Sequence, residues 1–133
     1  MGVLSREELE AKLKTFVGVS TGAPQVAPDA VNEAMIRHWC EAMGDAGASY
    51  VDDTAAQSAG HAGLVAPPAM LHAWVMRGME MANPNAVRSD KQSELHRLLS
   101  ENGYPSVVAT NCEQGYSRYL RPGDRIQSTT VIE

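Results

Sequence analysis

The chain is poor in the features that most often declare a function. It has two cysteines in 133 residues, Cys40 and Cys112. Two thiols so far apart make no disulfide framework and suit a reducing cytoplasm. No apolar run approaches the ~20 residues that a membrane span needs, so a cytoplasmic protein without a membrane partner is expected. The opening Met1-Gly2-Val3-Leu4-Ser5-Arg6-Glu7-Glu8 carries acids where a secretion signal needs an apolar stretch. Lys and Arg number 11 against 16 Asp and Glu, for a net charge of −5, and they form no cluster. A nucleic-acid partner is not expected, because a phosphate backbone is held by concentrated positive charge.

Common catalytic signatures are absent too. His38 and Cys40 stand two apart on a helical stretch and cannot share a face. His61, His72 and His96 lack a carboxylate or imidazole at ligand spacing, so no metal site is expected. Ser49 and Ser58 lie in no nucleophile-elbow setting. Gly60 and Gly63 flank His61-Ala62 and lead into a strand-like run, not the helix that a phosphate loop requires. His72 reads as a packed, hydrogen-bonded residue, not a catalyst.

What is present is a folding pattern. With 44% hydrophobic and 20% charged residues, the chain has the composition of one globular domain. Ser5 with Glu8 makes a capping box before Leu9, Leu13 and Phe16, and Glu8/Lys12 and Glu10/Lys14 add i,i+4 pairs. This helix should end near Gly18, with a loop or short edge strand up to Pro28. Asp29 is placed to cap a second helix reaching Met43, stopped by Gly44, with Ile36, Trp39, Cys40 and Met43 inward. A compact loop over 45–62 has room for one helical turn near Thr54–Ala59. Pro68 then opens a helix from Ala69 to Met81 that is apolar nearly all round and therefore buried. Ser89 with Gln92 starts another, with Leu95, Leu98 and Leu99 inward and Gly103 as its stop. Strands are expected at Val107–Thr110, Tyr116–Leu120 and Arg125–Glu133, with a type II turn at Arg121-Pro122-Gly123-Asp124.

Two stretches carry the chemistry. Gly44-Asp45-Ala46-Gly47-Ala48-Ser49-Tyr50-Val51-Asp52 places a carboxylate at a helix end with a phenol five residues on. Gly63-Leu64-Val65-Ala66-Pro67-Pro68-Ala69-Met70 follows as a glycine-led apolar strand running into the hydrophobic helix. Together, in this order, they resemble the MaoC-like enoyl-CoA hydratases. The active halves of that family carry Gly-Asp-x-Asn-Pro-x-His-x-Asp. Gly44, Asp45 and Asp52 match that setting, Ala48 and Ser49 replace its proline region, and Tyr50 replaces its histidine. The chain is most similar to the non-catalytic, N-terminal-type halves, as in the larger subunit of actinobacterial heteromeric hydratases of steroid side chains. The resemblance spans roughly residues 29–133, with 1–28 as a leading helix and loop within a single 1–133 domain.

The resemblance implies an α+β hot-dog fold, an antiparallel sheet wrapped around a central helix. Family members continue for further strands, so a truncation after Glu133 is expected. Hydration of an enoyl thioester needs a base for the water, an acid for the α-carbon and donors for the oxyanion. A phenol titrating near ~10 cannot replace imidazole, so the chain has no catalytic residue of its own. Asp45 and Tyr50 are degenerate positions. The resemblance assigns substrate binding to Gly63, Pro67, Met70, Ala73, Trp74 and Met76, on a helix kept lean by Ala73 and Gly78. Met79 and Met81 add adaptable thioethers. Arg118 and Arg121 are candidates for CoA phosphates, with solvated surface arginines as the plain reading.

The implied function is the acyl-binding subunit of a heteromeric hydratase that turns a 2-enoyl-CoA, of bulky steroid type, into a 3-hydroxyacyl-CoA. A second MaoC-like subunit brings the Asp/His pair, in an expected heterotetramer. No cofactor is implied beyond coenzyme A as part of the substrate. A different class of reading is a non-enzymatic module that docks a neighbouring enzyme such as a thiolase. A third is a self-sufficient enzyme using Asp45 alone.

Overall fold

The computed structural model describes residues 3–76 and 90–133. Contacts divide them between two compact units: the described part of Met1–Pro24, Asn83–Glu113 and Thr129–Glu133, and that of Gln25–Ala82 and Gln114–Ser128.

In the first unit, helix α1 spans Arg6–Lys14. Its capping box is complete: Ser5 Oγ accepts from the Glu8 amide at 3.3 Å, and Glu8 Oε2 accepts from the Ser5 amide at 2.9 Å. Lys14 pairs with Glu10 at 2.8 Å, while Glu8 is turned to the cap instead of to Lys12. Leu9 is its buried residue. Helix α6, Lys91–Glu101, is capped by Asp90, whose carboxylate accepts from the Ser93 amide at 2.8 Å. The expected cap Ser89 lies outside the described residues. Leu95, Leu98 and Leu99 are half-buried. An isolated antiparallel bridge joins Ser20 to Val131, so the C-terminal stretch pairs near the loop after α1.

The second unit holds the core. Strands β1 (Gln25–Val26) and β2 (Gln127–Ser128) form a two-stranded antiparallel ladder with Gln25 opposite Ser128. Helix α2 runs Glu33–Met43 and is capped by Asn32, which accepts from the Met35 amide at 2.9 Å. The expected cap, Asp29, lies too early for a physical reason. Val31 is buried, donates to Asp124 O at 2.8 Å and accepts from the Gly123 amide at 2.8 Å. A residue held in that pairing cannot also begin a helix. At the far end Gly44 is left-handed, with φ 65°, as the sequence implied. Ile36 and Cys40 are buried and Trp39 is half-buried, but Met43, in the last turn, is 64% exposed.

Two short helices follow, α3 (Ala48–Val51) and α4 (Asp53–Ser58), where one turn was expected. A 3₁₀ turn over Pro68–Met70 runs into helix α5, Leu71–Val75. Met76 then takes extended backbone, with ψ 134°, which ends the helix. The expected continuation through Gly78, Met79 and Met81 lies outside the described residues. Val31, Ile36, Cys40, Ala66, Met70 and Trp74 form the buried cluster, with Leu120 and Ile126 packed on it. The turn at Arg121–Asp124 is as expected: Asp124 donates to Arg121 O at 3.0 Å and Gly123 has φ 96°. Val107–Thr110 and Tyr116–Leu120 do not form strands, and Val108 is 80% exposed. β-branched residues make a strand only where a second backbone offers partners.

Asn32→Ala should therefore lower stability by about 1 kcal/mol, whereas Asp29→Ala should stay within about 0.5 kcal/mol of wild type. Urea unfolding midpoints of the two variants measure this; the opposite order would place the cap at Asp29.

Candidate functional site

The loop after α2 is shaped by backbone bonding. The left-handed Gly44 lets the Asp45 amide donate back to Cys40 O at 2.9 Å, and Asp45 Oδ1 accepts from the Gly47 amide at 3.1 Å. Asp45 is exposed and its carboxylate serves the turn. It also lines a concavity of about 310 Å³ with Arg37, Cys40, Glu41 and Val51. Burial, then the nearby Asp45 charge, pushes the Cys40 thiol above its ordinary pKa, so it stays protonated and unreactive.

Tyr50 lies in the first turn past Gly47 and donates its amide to Gly47 O at 2.9 Å. Its ring lies across Gly47, where a Cβ would come within 2.7 Å of the ring carbons. The ring packs on the buried cluster, and the phenol lies close enough to Tyr119 and Asp45 to feel both. Burial above all, with Tyr119 and the Asp45 charge, raises the phenol further above its usual value. At neutral pH Tyr50 is thus a fixed neutral phenol, unsuited to taking a proton from water. Tyr119 in turn meets the edge of His61, ring centroids 4.8 Å apart at 67°. Neither Tyr119 nor His61 stood out in the sequence, since their contact is purely tertiary.

The segment from Gly63 to Ala66 is clamped on both sides. Val65 donates to Ser49 O at 3.1 Å and Ala66 to Leu120 O at 2.8 Å. Asp53 Oδ1 accepts from the Leu64 amide at 2.8 Å, and a Cβ on Gly63 would sit 2.9 Å from that oxygen. Gly63 is therefore a close-approach position, with a wall role in a cavity of about 300 Å³ shared with Glu33, Asp53, Arg121 and Asp124. This cavity is charged.

A further cavity is apolar. Its volume is about 240 Å³, and Pro67, Pro68, Leu71, Tyr116, Arg118 and Leu120 line it. Pro67 and Arg118, separated in sequence, thus meet in one site, while Gly63 and Arg121 meet in the other. Arg118 is not a free cation: Nη1 pairs with Asp124 at 2.7 Å and donates to Tyr119 O at 3.0 Å. Tyr116 donates to Gln114 Oε1, and the Gln114 amide nitrogen lies 3.2 Å from His72 Nε2. His72 is hydrogen-bonded, as expected, but exposed.

The remaining candidates do not line either cavity. Met70 and Trp74 are 1% and 2% exposed inside the cluster, and Ala73 packs partly against it. Met76 is 69% exposed on extended backbone, which corrects its expected place on a buried helix wall. Trp74 Nε1 is buried without a hydrogen-bond partner among the described residues. Such a donor costs roughly 1–3 kcal/mol. Among the described residues there is no group of three or more His, Cys, Asp or Glu able to hold a metal, and no helix long and apolar enough to cross a membrane.

Comparison with known proteins defines the class. The crystal structure of the ChsH1-ChsH2 complex from Mycobacterium tuberculosis matches with a TM-score of 0.74 and 44% identity, over 91% of this chain and 68% of that one. The fold class is the α+β hot dog, to which the described residues contribute helices and a small antiparallel ladder. The chain belongs to the FAS1-like, dehydratase domain region family, which it matches over residues 15–133. It is 44% identical over 131 residues to the 3-oxo-4,17-pregnadiene-20-carboxyl-CoA hydratase alpha subunit of Mycobacterium tuberculosis, covering 98% of this chain and 40% of that one. It is 42% identical over 130 residues to a protein named "Probable enoyl-CoA hydratase alpha subunit" of Thermomonospora curvata, covering 98% and 41%. The chain thus spans about two fifths of the length of these curated relatives.

The Arg118 side chain, then the Arg121 amide, holds the Asp124 carboxyl below its ordinary range. A depressed carboxyl stabilises the fold above its unfolded pKa of about 4, and that contribution fades as pH falls through the lower folded value. Asp124→Asn should therefore be less stable than wild type near neutrality, with the gap closing in acid. Urea midpoints from about pH 7 to about pH 3 measure it; a gap independent of pH would deny Asp124 this role.

Proposed function

We propose that this chain is the acyl-holding, catalytically incomplete part of a heteromeric enoyl-CoA hydratase. A second MaoC-like chain contributes the Asp/His pair, and the product is a 3-hydroxyacyl-CoA. The observation that carries the reading is Tyr50: it occupies the imidazole position as a half-buried phenol whose pKa is raised, chiefly by burial. Hydration needs a group that exchanges protons near neutrality, and the two carboxylates of this loop are engaged, Asp45 in its own turn and Asp52 in the cap of α4.

The apolar cavity supports the other half of the reading. Pro67, Pro68, Leu71 and Leu120 give it an aliphatic wall, while Tyr116 and Arg118 put polar groups on the same wall. A thioester with an apolar acyl group and a polar carrier has that character. Coenzyme A then enters as part of the substrate, and no resident cofactor is required. The names of the alpha-subunit relatives and the two-component solved neighbour support a bulky, steroid-type acyl group and a hetero-oligomer.

The purified chain alone should not hydrate a medium-chain or a steroid enoyl-CoA, followed by loss of enoyl-thioester absorbance, and adding the catalytic partner should restore turnover. Robust turnover by the chain alone would end the proposed division of labour. In the assembled complex, Asp45→Asn should leave the rate within about tenfold of wild type, since a true general base contributes typically ~10²–10⁴. A loss in that larger range, with assembly intact by size-exclusion chromatography, would make Asp45 catalytic.

A further inference from the structure

Arg118 is engaged through one of its nitrogens. Nη1 donates to Asp124 Oδ2 at 2.7 Å and to Tyr119 O at 3.0 Å, which uses both of its hydrogens. Asp124 and Tyr119 do not line the apolar cavity, whereas Arg118 does. The N–H groups of Nε and Nη2 have no acceptor among the described residues. With the side chain 61% exposed they are open to a ligand. Asp124 also answers the positive charge, so the pair as a unit is neutral. Tyr116 lines the same cavity, and its proton is committed too. The Gln114 amide nitrogen, which only donates, faces His72 Nε2 at 3.2 Å, and this turns Gln114 Oε1 towards the phenol that donates to it. The Tyr116 oxygen is left to accept. One wall otherwise made of Pro67, Pro68, Leu71 and Leu120 thus carries a charge-balanced donor and an acceptor two residues apart.

We infer that Arg118 and Tyr116 together read an uncharged secondary amide on the carrier arm of the ligand, Arg118 donating to its carbonyl oxygen and Tyr116 accepting from its N–H. The inference rests on the acyl-binding reading above and replaces the phosphate role expected of Arg118. A phosphate offers acceptors alone, so it would set its lone pairs against those of Tyr116, and Asp124 already holds the charge that would draw it. An amide satisfies both side chains at once. In a CoA thioester the amide nearest the apolar acyl group is the first of the pantetheine arm, while the phosphates stand at the far end of that arm. A few placed polar groups on an apolar wall are what fix a ligand's orientation and register.

The test uses the full chain and saturated thioesters of one acyl group. The ligands are the CoA thioester, the pantetheine thioester without nucleotide or phosphate, and that pantetheine thioester with an ester oxygen in place of the first amide N–H. Equilibrium dialysis gives the affinities. The unaltered chain should bind the amide at least about fivefold more tightly than the ester, a comparison that needs no variant to fold. Tyr116→Phe, which keeps the ring on the wall, should narrow that preference to within about twofold. Arg118→Leu should weaken the CoA and the pantetheine thioesters by the same factor, roughly tenfold. A loss confined to the CoA thioester and deepened at low salt would make Arg118 a phosphate contact and overturn the inference. Equal binding of amide and ester by the unaltered chain would also overturn it, while leaving the acyl site standing. Failure of the unaltered chain to bind any of these thioesters would overturn the acyl-binding reading, and the inference with it.

Discussion

The interaction on which the rest depends is a pair of backbone hydrogen bonds. The amides of Val65 and Ala66, both buried, donate to Ser49 O and Leu120 O. A buried amide left unpaired is costly, so this segment cannot move from between its two neighbours. One bond ties it to the loop that carries Tyr50, the other to the stretch that carries Arg118 and Tyr119. Everything in the candidate site hangs from these points. Pro67 and Pro68 follow directly, steering the chain into the turn that puts Leu71 on the cavity and Trp74 in the core.

That frame explains why a tyrosine is suited to the loop position. Tyr50 fills space against the cluster, and burial keeps its phenol protonated, so it takes no proton from water. The proposed division follows: a rigid apolar wall here, with the proton traffic on another chain. The charged cavity around Glu33, Asp53 and Arg121 holds the other side of the Gly63 segment through the Asp53–Leu64 bond. Two of its carboxylates serve the chain's own backbone, Asp53 at the Leu64 amide and Asp124 at the Arg121 amide.

Local signals were legible in the sequence. The Ser5–Glu8 capping box, the left-handed stop at Gly44 and the turn with Gly123 need only neighbouring residues, and all three stand. Signals that depend on distant partners were not. Asp29 lost the cap of α2 to Asn32 because Val31 pairs with the Gly123–Asp124 turn. Val107–Thr110 has strand composition but pairs with no strand among the described residues. Within the site, the Asp45–Tyr50 spacing pointed to the loop, and Pro67 to a cavity. The packing of Tyr50 on the cluster, the contact of His61 with Tyr119 and the pairing of Arg118 with Asp124 join positions that no spacing rule connects. Met76 misled because apolar content alone does not say where a helix ends.

The most direct measurement separates holding from chemistry in a single sample. The chain is mixed with a 2-enoyl-CoA in deuterated water, the bound fraction is measured by dialysis, and the recovered thioester is examined by mass spectrometry. The account predicts bound, unchanged enoyl-CoA with no deuterium at its α-carbon. A 3-hydroxyacyl-CoA carrying deuterium there, formed by this chain alone, would contradict it.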